Sequence, residues 1–149
     1  MTTARPILAN SCAYAATADE ARFRIDRPIA GRTALVIALD GEAAAVVDRV
    51  AELPWQGARF FRSPDELDAE RELVDAAVAI MVATADAAGV SAETIARACA
   101  ARGIMTSGLI LGDRLDVGPA VSALRPYARN LMVTDDEDDV GAVLTALRA

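Results

Sequence analysis

The sequence predicts a single α/β domain of three layers, a doubly wound and mainly parallel five-stranded sheet between two layers of helices. Three observations carry that expectation. Apolar runs built from Ala, Val, Ile, Leu and Met alternate with amphipathic segments five times between Thr33 and Ala149. The longest apolar runs are nearly continuous, as strands covered on both faces must be. The intervening segments are long enough to serve as crossover helices, which parallel strands require and hairpins do not.

The elements follow in chain order. Thr33–Leu39 (TALVIAL) is the first buried strand. In GEAAAVVDRVAEL, Val46, Val47, Val50 and Leu53 fall at helical spacing and Pro54 closes the helix. The short ARFF is the second strand. The SPDELDAERELVDAA segment predicts a second helix, with Ser63 and Glu66 forming a capping box and Pro64 in the first turn. Ala77–Ala85 (AVAIMVATA) is the third strand, and SAETIARACAAR a helix that starts at Ser91 and stops at Gly103. GIMTSGLILG is the fourth strand, DVGPAVSALR a short helix ending before Pro126, and NLMVT the fifth strand. The last helix lies in DDEDDVGAVLTALRA, with Val140, Val143, Leu144 and Leu147 on one stripe. Right-handed crossovers place helices on both faces, so the strand order is expected to be flavodoxin-like or Rossmann-like.

Residues 1–32 fit this alternation less well. They form an expected N-terminal extension that packs on the domain, adds an edge strand, or covers a partner. Residues 33–149 are the expected α/β domain.

Composition narrows the chemistry. The 149 residues carry a net charge of −7, with no basic cluster, which argues against a nucleic-acid surface. No run is long enough to span a bilayer, and the interrupted apolar stretch after Arg5 does not read as a signal peptide. With two cysteines in no pairing pattern, the expected compartment is the cytoplasm. Every basic residue is arginine, and histidine is absent. The chain therefore has no His-based triad or imidazole ligand, and no Lys for a Schiff base or phosphate loop.

In a doubly wound sheet, ligands bind beyond the carboxyl ends of the strands. The predicted rim comprises Asp40–Glu42, Arg62–Asp65, Thr84–Ser91, Gly112–Asp116 and Thr134–Asp139. From it come the candidate ligand-binding residues Asp40, Arg62, Thr84, Asp86, Ser91, Asp113 and Arg114. Asp86 and Asp113 are the candidate metal ligands, and Mg²⁺ is the candidate ion because hard cations take carboxylate oxygens. Ser91 would offer helix-start N–H groups to an anion, with Arg62 and Arg114 adding bidentate contacts.

In topology alone, Thr33–Ala149 resembles the response-regulator receiver domain, which carries an acidic pocket at this rim. Receivers pair two acids after the first strand and place a lysine after the fifth. This chain has Asp40 alone in the first place and no lysine at all, so membership is not assigned. In outline, Ala77–Leu111 is also similar to sugar-phosphate isomerase-type and tubulin-like nucleotide-binding segments, without the Ser/Thr-dense loop of the former or the Gly-rich loop of the latter.

Capping competes with function for the same residues. Asp40, Ser63, Ser91, Asp116 and Thr134 or Asp135 stand where N-caps are wanted, each stabilising by roughly 0.5–2 kcal/mol. Asp86 and Asp113 lie outside cap positions, though either can close an Asx-turn. Cys99, four residues after Ile95, reads as a buried apolar side chain. Trp55, Phe60 and Phe61 read as a packing cluster or an oligomer contact.

The expected function is a small non-catalytic domain that binds a small molecule or protein partner at the carboxyl edge, as a homo-oligomer. The alternatives are a Mg²⁺-dependent phosphoryl-transfer or hydrolytic enzyme using rim carboxylates, and a structural subunit of a larger assembly.

Overall fold

The computed structural model describes residues 33–84, 89–147 and 149. The expectations for residues 1–32 and for Asp86 lie outside the described residues. Five strands, β1 (Thr33–Ala38), β2 (Ala58–Phe61), β3 (Ala76–Ala83), β4 (Met105–Leu111) and β5 (Asn130–Thr134), form one sheet in the order β2-β1-β3-β4-β5. Every pairing is parallel. This is the doubly wound, flavodoxin-like order, with its topological switch between β1 and β3.

The helices are α1 (Gly41–Ala51), the single turn α2 (Ala69–Glu72), α3 (Gly89–Ala100), α4 (Gly118–Leu124) and α5 (Asp138–Leu147). Strand side chains alternate between two aliphatic cores. Leu35, Ile37, Met81 and Ile110 face α3 and α4, contributed by Ala92, Ile95, Cys99, Ala120 and Leu124. Val36, Ile80, Val82 and Leu109 face α1 and α5, contributed by Val46, Val47, Val50, Val140 and Leu144. Because β1 and β3 are covered on both sides, their sequences read as unbroken apolar runs.

Two expectations need correction. The segment after β2 does not form one long helix. It makes a 3₁₀ turn at Pro64–Glu66, goes extended at Leu67, and restarts at Asp68, whose carboxylate accepts from the Glu70 N–H. The Ser63 side chain caps nothing, and Glu66 accepts from the Arg62 N–H instead of closing a box on Ser63. The Asx-type start at Asp68 divides what the apolar spacing joins. The aromatic residues also separate. Phe60 and Trp55 pack on the α1/α5 core while Phe61 is buried in the other, because neighbours on a strand point to opposite faces. Trp55 donates its indole N–H to the Val50 carbonyl at 2.8 Å, closing the end of α1.

The end of α3 matches its sequence signal. Gly103 takes φ 68°, its N–H reaches the Ala100 carbonyl, and the Ile104 N–H reaches Cys99 at 3.0 Å. This is a Schellman cap, with buried Ile104 closing it. Among the described residues, no helix is long and apolar enough to cross a membrane.

Candidate functional site at the carboxyl edge

All five strands end on one border, and the residues after them do different work there. Asp40 stands at the topological switch. Its Oδ1 accepts from the Ala43 N–H at 2.8 Å, the N-cap of α1. Its Oδ2 accepts from the Thr84 N–H at 2.7 Å. One step earlier in the β1–β3 ladder, the Leu39 N–H bonds the Val82 carbonyl. The carboxylate thus extends the ladder by one rung after the backbones diverge. In this fold the switch is where a crevice opens; here Asp40 stitches its floor.

Thr84, directly above that stitch, is buried, and its Oγ1 finds no hydrogen-bond partner among the described residues. Strand parity sets Thr84 on the same side as Val82, the α1/α5 side, where it lines a cleft of about 400 Å³. Glu42 and Arg49 of α1 form one wall of that cleft; Asp135 and Glu137, just before α5, form the other. Arg49 and Glu137 meet across it at 2.6 Å, both exposed.

A second cleft, of about 500 Å³, opens beside the first around Asp113, Arg114, Thr134, Asp135 and Asp139. Gly112 and Asp135 line both, so the two adjoin along the end of β4. Gly112 holds φ 147°, and its N–H bonds the Thr134 carbonyl at 2.9 Å. An added Cβ would lie 2.8 Å from Val117 Cγ1, so only glycine suits this corner.

Beside Asp40, Asp113 and Asp136 on this border also accept from backbone N–H groups. Asp113 Oδ1 accepts from the Leu115 N–H at 3.0 Å, the Asx-turn its position allows. The Thr134 hydroxyl donates to Asp139, and Thr134 Oγ1 accepts from the Asp136 N–H. Asp136 then accepts from the Asp138 N–H at 2.9 Å, starting α5. Asp116 is not the cap of α4; that place falls to Val117, which makes no side-chain bond. Nor is Ser91 a cap, because α3 already runs from Gly89 and Ser91 is its third residue.

The border therefore groups the candidates unevenly. Asp40 and Thr84 are in contact. Asp113 and Arg114 follow β4, which pairs with β3 through Ala83 and Ile110. Arg62 is not on a neighbouring loop to Arg114. It follows the edge strand β2, three strand spacings or roughly 14 Å from β4, and pairs with Asp48 at 3.1 Å. Among the described residues, no three metal-ligating side chains are grouped to hold an ion. Glu42, Asp135 and Glu137 belong to the predicted rim but are not among the candidates drawn from it, and Arg49 lies outside the rim. One signal pointed to Glu42 and Arg49: seven residues apart, they share a face of α1.

In comparisons with known proteins, no family model, curated protein or solved structure matches the chain.

Proposed function

We propose that the protein is a non-catalytic binding domain that holds a small ligand at the carboxyl edge of its sheet. The observation that carries this reading is the pair of adjoining clefts sharing Gly112 and Asp135, set where doubly wound folds receive ligands. Binding is favoured over catalysis by what the rim carboxylates do. Asp40 uses both oxygens on backbone N–H groups, Asp113 accepts from Leu115, and Asp139 is joined to Thr134. Asp40 has both oxygens occupied, and the chain brings no histidine or lysine to serve as acid or base. Arg114 is exposed on the wall of the larger cleft, where it is available to a ligand.

Thermal melting of the full chain against Mg²⁺, nucleotides, inorganic phosphate, amines and carboxylates tests the reading, because a ligand of the folded state raises the midpoint. At least one class should raise it, and an Asp135→Asn, Arg114→Ala variant should lose most of that rise. A rise that the variant leaves untouched, or turnover of any of these compounds that survives in it, would overturn the proposal.

A further inference from the structure

We infer that the outer edge of β5 is the contact surface for a second copy of this chain, which pairs there antiparallel about a two-fold axis at Met132. β5 is the last strand of the sheet and is bonded to β4 alone. The Gly112 N–H bonds the Thr134 carbonyl, so Thr134 turns its backbone groups toward β4. With a period of two, Met132 does the same, and Leu131 and Val133 direct their N–H and carbonyl groups outward. Among the described residues no strand takes them up.

The two edges of the sheet are not alike. Natural edges are guarded by charge, proline or bulges. β2 is four residues long, carries Arg59, and is tied by that side chain to the Glu72 carboxylate and carbonyl of α2. β5 (NLMVT) has no charge, no proline and no break in its register, and its central Met132 is 38% exposed.

Charge names the occupant. Arg125 and Arg129 precede the strand, Asp135 and Asp136 follow it, and all four are exposed. A second copy laid parallel and in register would set like charges together at both ends. An antiparallel copy centred on Met132 sets Arg129 opposite the partner's Asp135, and Asp135 opposite the partner's Arg129, which favours pairing. The same register puts Leu131 opposite the partner's Val133. These are the residues whose backbone groups point outward, so they exchange N–H···O=C bonds as a hydrogen-bonded pair, and Met132 meets its own counterpart in the closer pair on the axis. Bond direction, charge and symmetry thus select one register, and the two sheets join into one closed dimer. Met132, Val133 and Asp135 also line the larger cleft, so the partner strand would add a wall to it.

Sedimentation equilibrium of the full chain, without ligand, tests the contact. A contact one strand wide is small, so the series should run to about 300 µM, where a dimer is expected. Amide exchange should slow most at Leu131 and Val133 as concentration rises. Met132→Lys places two ammonium groups face to face on the axis and should weaken association at least about tenfold. Arg129→Asp should do likewise, and adding Asp135→Arg should restore it to within about threefold of the parent, because the charges are exchanged and not lost. Should Met132→Lys fail to fold, the arginine–aspartate exchange decides. A monomer throughout the series overturns the inference, as when residues 1–32 of the same chain take the edge and Leu131 and Val133 are protected at every concentration. Association that survives Arg129→Asp, a dimer without added protection at Leu131 and Val133, or an assembly larger than a dimer overturns it too. Each of these failures leaves the ligand reading standing.

Discussion

Asp40 serves two elements of the architecture at once. One carboxylate begins α1 and joins β1 to β3, so its removal frees two N–H groups at once. Asp40→Ala should lower unfolding free energy by about 2–4 kcal/mol, the sum of a lost cap and a lost charged hydrogen bond. Denaturant titration measures it, and a loss below about 0.5 kcal/mol would show that the stitch is dispensable. Cys99 illustrates a quieter constraint. Burial pushes its thiol up from 9.0 to about 11, with Arg102 pulling partly back. The folded chain keeps this proton where the unfolded chain has lost it, so the unfolded state binds fewer protons in that window. Stability should be intact below pH 9 and fall as pH rises from 9.0 toward about 11. In a Cys12→Ser background, Cys99→Ala should flatten that alkaline decline, read from denaturation midpoints across the window. An unchanged slope would place the alkaline sensitivity elsewhere.

At the scale of elements, capping geometry explains both the successes and the failures of sequence reading. Gly103 was legible because a left-handed residue after an apolar stripe has one common use. Gly103→Ala meets no neighbouring atom, so its cost is conformational, about 1 kcal/mol. Gly112→Ala is expected to cost more, about 2–3 kcal/mol, because strain adds to a contact with Val117; equal midpoints for the two variants would refute the distinction. The second helix misled for a related reason. Ser63, Pro64 and Glu66 compose a good start signal, yet Asp68 supplies a competing one, and two local starts cannot share a continuous helix. Ser91 failed differently: the sequence marks a residue that tolerates a cap, while the helix already runs from Gly89.

Across the whole molecule, the two cores lie on opposite sides of a sheet whose middle strands touch both. Leu144, fully buried against the α1/α5 face, should cost about 2–5 kcal/mol when cut to Ala. Leu53, 54% exposed at the end of α1, should cost less than about 0.5 kcal/mol. Comparing their denaturation midpoints tests whether α5 is integral to the fold, and similar values would mean that it is not. The sequence by itself determined that the strands are parallel, that helices cover both faces and that the rim is acidic. Those features follow from periodicity, crossover length and residue type, all of which are local. Only the tertiary structure decided which rim residues meet. Strand order sent Arg62 to the far edge and brought Glu42 opposite Asp135 and Glu137, because edge pairing sums weak contacts over the entire sheet and leaves no signature in any single segment.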